Sequence, residues 1–287
     1  MLMASRLLWF SPVMLLLVVL FSSLLGGLGC TTNKKNDDSG NLDLSYENAS
    51  DDALLEGVNT APQKVSRQEL EAKYKSLAEA IRAGSEKSVL DAAGTILFDD
   101  ADDFKALNSM AMYYFTKKKV GLAKQYMQRA LKKGNGSAEI HNNLGIILMA
   151  EGEQDQAVGE FKRSLSLDSS NVAASTNLGL LYAKYGYYDK AAPLLETANS
   201  ALPKNLEILT AYAVSLRGTK NYSAAQKIYK GLVSQSDDIN LLMDYAELLV
   251  GELKSVDEAK VVLSKIRFLD PRGEIVDRVI ELERRLK

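Results

Sequence analysis

Residues 172–205 read VAASTNLGLLYAKYGYYDKAAPLLETANSALPKN. Leu178-Gly179, Tyr182, Gly186, Ala191, Leu195, Ala198 and Pro203 set out, in order, a large-small pair, a large residue, a turn, a small residue, a large one, a small one and a helix end. That order predicts two helices folded back on each other. Each carries an apolar stripe at helical spacing, and Ala191 is small where the two must approach closely. One hairpin cannot bury both stripes, so the unit needs a neighbour on either side.

The chain supplies those neighbours at a fixed step of 34 residues, as segments 104–137, 138–171, 172–205, 206–239 and 240–273. Positions seven and eight of each segment read Met110-Ala111, Leu144-Gly145, Leu178-Gly179, Tyr212-Ala213 and Ala246-Glu247. Position twenty is Ala123, Ala157, Ala191, Ala225 and Ala259. Only Glu247 departs from the small residue that a close helix crossing needs. Upstream, 70–103 keeps the repeat length but has Ser76-Leu77 in place of the large-small pair, so 67–103 is expected to be a degenerate unit that caps the stack. Ser66 followed by Glu69 fits a capping box at its start. Residues 274–287, EIVDRVIELERRLK, are expected to close the other end as an amphipathic helix.

From about residue 70 onward the chain resembles the tetratricopeptide-repeat family. The resemblance implies an all-α, right-handed superhelix of hairpins: five clear repeats, one degenerate N-terminal repeat and a C-terminal capping helix. It also implies a concave groove, lined by the first helix of each hairpin, that binds protein partners and performs no catalysis. In this family positions two, five, nine, twelve and thirteen of the first helix face the groove. Position nine is Met112, Ile146, Leu180, Val214 and Leu248, and position twelve adds Phe115 and Met149. Such a strip either binds an apolar peptide or helix, or leans into neighbouring hairpins as core. Asn108 and Asn142 stand at position five, but position nine offers no Asn, so the family's clamp for a terminal carboxylate is not carried over.

The residue inventory points the same way. One His and one Cys form neither a metal cluster nor a Cys-His pair, and no cofactor, metal or small-molecule substrate is expected. His141, at position four, reads as a packing residue. A net charge of −2 gives no general attraction to nucleic acid. The charge is unevenly spread, however. Segment 104–137 contains Lys117, Lys118, Lys119, Lys124, Arg129, Lys132 and Lys133, together with Lys105, and no acid; the next segment has six acids. This basic run is either a solvated face balanced by its acidic neighbour or a patch for anions.

Residues 1–29 start with a single charge, Arg6, continue as an apolar run from Leu7 and end in small residues before Cys30, which is the pattern of a secretory signal. GGLGC resembles the lipobox of bacterial lipoproteins, with Gly27 where the family usually has an aliphatic residue. An uncleaved membrane anchor is the alternative, the run being close to the roughly 20 residues that span a bilayer. The resemblance makes Cys30 the lipid-carrying N-terminus, and Thr31 after it implies sorting to the outer membrane, facing the periplasm. Residues 30–66, rich in Asn, Asp, Ser and Gly, are expected to be a disordered tether with an average reach of roughly 30–35 Å. In layout the chain is similar to pilotin lipoproteins of type IV pili and to repeat lipoproteins of gliding motility. The second expectation is an adaptor for outer-membrane barrel assembly or for peptidoglycan enzymes. Cys30→Ser should release the protein from membranes or leave it as an uncleaved precursor, read by fractionation and by mass spectrometry of the N-terminus; an unmodified mature N-terminus would reject lipidation.

Overall fold

A side-chain oxygen opens the first helix of every repeat. Asp103, Ser137, Asn171, Asn205 and Asp238 each accept a hydrogen bond from the backbone N–H three residues on, at Ala106, Ile140, Ala174, Ile208 and Leu241, which satisfies a donor the helix leaves free. The computed structural model describes residues 65–270 and 275–286; the expected signal segment 1–29, Cys30 and the expected tether up to residue 64 lie outside them. The described residues contain 13 α-helices and no strand, and they fall into two compact units divided between Ala101 and Asp102. The first is the hairpin of α1 (Arg67–Ala83) and α2 (Glu86–Asp99). Leu77, Val89, Ala93 and Ile96 are buried there, and Lys73 pairs with Asp99 across the two helices at 2.5 Å.

The second unit holds five further hairpins in succession: α3 (Phe104–Thr116) and α4 (Val120–Gly134), α5 (Ala138–Glu151) and α6 (Gln154–Leu167), α7 (Val172–Lys184) and α8 (Tyr188–Ala201), α9 (Leu206–Gly218) and α10 (Tyr222–Val233), α11 (Ile239–Leu248) and α12 (Val256–Leu269). A last helix, α13 (Val276–Arg284), follows. Size alternation joins the two helices of each hairpin. The five position-twenty alanines are fully buried, and so are the large residues four positions later, Met127, Phe161, Leu195, Tyr229 and Leu263. Position eight is small because those large side chains press on it. A Cβ added to Gly145 would lie 2.6 Å from the Phe161 ring, and one added to Gly179 would lie 2.9 Å from Leu195.

Each hairpin turns through one residue with positive φ, always at position fifteen: Lys118 (60°), Gly152 (84°), Gly186 (76°), Lys220 (64°) and Lys254 (54°). The next N–H then reaches back over the turn, as Lys119 does to Tyr114 O at 2.9 Å and Asn221 to Leu216 O at 2.8 Å, tying off helix carbonyls that would otherwise be unsatisfied. Glycine adopts this conformation freely, whereas lysine carries its Cβ into the following carbonyl.

The last repeat differs by one residue. Fifteen residues separate cap from turn in the four repeats before it (Asp103 to Lys118, Ser137 to Gly152, Asn171 to Gly186, Asn205 to Lys220), and sixteen do so from Asp238 to Lys254. A π-helical turn at Leu249–Leu253 absorbs the extra residue. Glu247, the large exception at position eight, sits just before it. Its carboxylate accepts from Arg217 Nη2 of α9 at 3.2 Å and pairs with Arg278 of α13, so the position that departs from the small-residue rule anchors the closing helix instead. Arg267 to Glu283, at 2.6 Å, adds a second tie, and Val279 and Leu282 of α13 enter the core with Leu248, Leu263 and Ile266.

Two substitutions of opposite sign test this account. Lys220→Gly should raise the urea midpoint by relieving about 0.5–1 kcal/mol of backbone strain, net of the entropy glycine adds to the unfolded chain. Ala191→Leu should lower it by about 1–3 kcal/mol through overpacking. A glycine at 220 that destabilises, or a leucine at 191 without effect, would contradict the turn and crossing geometry respectively.

Candidate protein-binding groove

The inner faces of the first helices are joined by a chain of side-chain amides. Asn108 of α3 donates to Glu139 Oε1 of α5 at 3.0 Å; Asn143 of α5 donates to Asn108 Oδ1 at 3.0 Å; Asn142 donates to Asn143 Oδ1 at 3.3 Å; Asn177 of α7 donates to Asn142 Oδ1 at 2.9 Å. All four asparagines are buried. Buried amides are tolerated when they satisfy one another, and a linked set holds its helices in one register. The sequence offered Asn108 and Asn142 as groove residues; their use is to bind one helix to the next.

The amide chain ends at a pocket. Asn177, Leu180, Leu181, Ala183 and Lys184 of α7, Glu207, Ala211 and Val214 of α9, and Met149 and Phe161 line a small cavity of about 50 Å³. The lining is apolar apart from Asn177, Lys184 and Glu207. Lys184 is exposed, with its ammonium 5.7 Å from the centre of the Tyr185 ring. Glu207 is half-buried, and burial raises its carboxyl above the ordinary glutamate range.

The residues of the apolar strip divide by depth. Leu180, Val214 and Met149 are half-buried and share the pocket, and Met112 is half-buried on α3. Ile146, Leu248 and Phe115 are buried, Leu248 within the cluster that seats α13. The basic run is spread over several partners. Lys117 and Lys119 lie over the rings of Tyr113 and Tyr114 at 5.4 and 5.5 Å, Lys124 pairs with Glu151 at 2.6 Å and Lys133 with Asp102 at 3.6 Å. Lys118 occupies the turn, and Arg129 and Lys132 are exposed on α4. His141 is buried but polar in its use: Nδ1 lies 2.6 Å from Glu160 Oε2 and Nε2 lies 2.9 Å from Asn135 O, so the imidazole bridges α6 and the end of α4. No group of three His, Cys, Asp or Glu side chains gathers among the described residues, and none of their helices is long and apolar enough to cross a membrane.

Two acids of the inner face were not singled out by sequence. Glu207 stands at position two and Asp244 at position five, both groove positions, but a reading confined to apolar residues at nine and twelve passes over them. Asp244 is pushed up to about 6, burial outweighing the attraction of Arg217, whose Nη1 donates to the Asp244 backbone oxygen at 3.1 Å.

The geometry is that of a tetratricopeptide-repeat superhelix, and residues 138–171 match the family model for the tetratricopeptide repeat. A curated relative, the chloroplast protein PYG7 of Arabidopsis thaliana, a tetratricopeptide repeat domain-containing protein, is 28% identical over 126 residues, covering 42% of this chain and 36% of that one. The chain spans about a third or less of the length of the curated relatives it matches. Among solved structures, PilF of Pseudomonas aeruginosa aligns with a TM-score of 0.57 at 17% identity, over 71% of this chain and 93% of that one. PilW, a type IV pilus biogenesis factor, aligns with a TM-score of 0.55 at 21% identity, over 75% and 100%. Likeness at such identity shows the fold.

Asp244 gives a pH test. Its carboxyl is harder to ionise in the fold than in the open chain, so the native state holds the extra proton between pH about 4 and about 6. Stability from this group is therefore present at low pH and lost as pH rises through that window. Asp244→Asn should be more stable than the parent at pH 7 by about 1–3 kcal/mol, the gap closing near pH 4. A gap independent of pH would reject the assignment.

Proposed function

We propose that this protein is a non-catalytic lipoprotein adaptor, attached to the bacterial outer membrane through Cys30, facing the periplasm and helping to assemble or position an envelope machine of the type IV pilus or surface-motility kind. The observation that carries the reading is the half-buried apolar pocket of Leu180, Val214 and Met149 on the inner face of the superhelix. An apolar concavity of this sort is where a partner peptide or helix anchors a few side chains. Two similar solved structures, PilF and PilW, support the pilus reading, the second by its description as a pilus biogenesis factor. The Cys30 motif supplies the attachment.

A photo-crosslinking residue at Leu180 in living cells should capture one major partner, whereas the same probe at Lys227, exposed on α10, should not. Leu180→Glu should abolish capture and leave the helical circular dichroism and the melting curve near those of the parent, because a half-buried pocket residue can turn its carboxylate to water. Melting of the domain by that substitution would make Leu180 core and reject the groove. Deletion of the gene should impair piliation or surface motility; intact pili and motility with a barrel-assembly or cell-wall defect would move the adaptor to a different machine.

A further inference from the structure

The pocket between α7 and α9 is not electrically neutral in its needs. Its walls, Leu180, Val214, Met149, Ala183 and Ala211, ask for an apolar side chain. Glu207, on the same lining, is half out of water, and among the described residues no cation pairs with it. Lys184 does not fill that role: it is exposed, with its ammonium over the Tyr185 ring. Desolvating a carboxylate without pairing it costs free energy that the fold recovers only when a positive charge arrives. The first turn of α9 offers Glu207 a favourable helix dipole, but burial still raises its carboxyl above the ordinary range.

Building on the groove reading above, we infer that the pocket recognises a segment of a separate partner protein that presents an apolar side chain to Leu180 and Val214 and, beside it, a lysine or arginine to the Glu207 carboxylate. The apolar contact anchors the segment, and the charge selects it. A cation placed at Glu207 forms a charge-assisted hydrogen bond in partly desolvated surroundings, where such a bond is stronger than at an open surface. A segment with an acid in the same place would set like charges against each other inside the pocket, which is the repulsive half of specificity.

The test uses the full chain in lipid nanodiscs, with empty discs as the blank, and two fluorescein-labelled peptides: acetyl-Leu-Leu-Lys-Leu-Leu-Lys-amide and its twin with Glu in place of each Lys. The lysine peptide should bind and the glutamate peptide should not. Glu207→Gln should weaken the lysine peptide about tenfold, Glu207→Lys should reverse the preference, and Glu196→Gln, at an exposed site on α8, should change nothing. Circular dichroism of each variant excludes unfolding as the cause, and the neutral Gln variant carries the test if the Lys variant does not fold. Equal binding of the two peptides, indifference to Glu207→Gln, or no binding of either would overturn the inference. In-cell capture at Leu180 separates its failure from that of the groove: a captured partner with no cation dependence sinks the charge rule alone, and absence of any captured partner sinks the groove itself. Self-association abolished by Glu207→Lys would place a second copy of this chain in the pocket and overturn the assignment to a separate partner.

Discussion

The distance between two helices is set by the smallest side chain at their crossing, and here it is alanine five times over. Ala123, Ala157, Ala191, Ala225 and Ala259 are fully buried, and a large residue four positions on fills the space their size opens. Gly145 and Gly179 complete the arrangement from the opposite helix, since neither leaves room for a Cβ. With that distance fixed, each hairpin presents nearly the same outer surface to the next. Stacking then buries stripes that no hairpin buries alone, and the inner faces of the first helices line up as a consequence.

The repeat at 240–273 departs from the four before it. The small residue of position eight gives way to Glu247, which faces arginines from α9 and α13. The helix carrying it gains a residue between cap and turn and takes it up as a π-helical turn. These changes belong together. A carboxylate is too large for the close crossing used by the earlier repeats, and Val279 and Leu282 of α13 pack into the cluster of apolar side chains from α11 and α12.

The features that repeat were legible in the sequence. The alanines recur at one step of 34 residues, four of the five position-seven and position-eight pairs are large-small in the same register, and each recurrence strengthens the others. What the sequence hid is local. Lysine has no preference for a left-handed turn, so Lys118, Lys220 and Lys254 reveal theirs only by standing in register with Gly152 and Gly186. The extra residue in the last repeat is invisible because the register is kept at position fifteen. Position number gives the face of a helix and not the depth, which is why Ile146 and Leu248 lie buried while Leu180 and Val214 line a pocket. Asn108 and Asn142 read as polar groove residues, but their partners Asn143 and Asn177 lie 35 residues away in the chain, about one repeat distant, and a pairing across repeats has no signature in either residue alone.

The position of the pocket follows from where the polar ties run. The amide chain links α3, α5 and α7 and ends at Asn177, on the pocket's lining. The charged cluster begins at Arg217 of α9 and runs through Glu247 to Arg278 of α13. Each network fixes the helices it joins, because a buried polar group that slips out of register loses its partner and keeps its desolvation cost. The seam between α7 and α9 lies between the two networks, and its lining is apolar apart from Asn177, Lys184 and the half-buried Glu207 carboxylate. Apolar contact is non-directional and tolerates small displacement where hydrogen-bonded contact does not. On the proposed reading, a partner's side chain that enters at this seam breaks no hydrogen bond between helices, and its walls are held by two networks that the entry leaves intact.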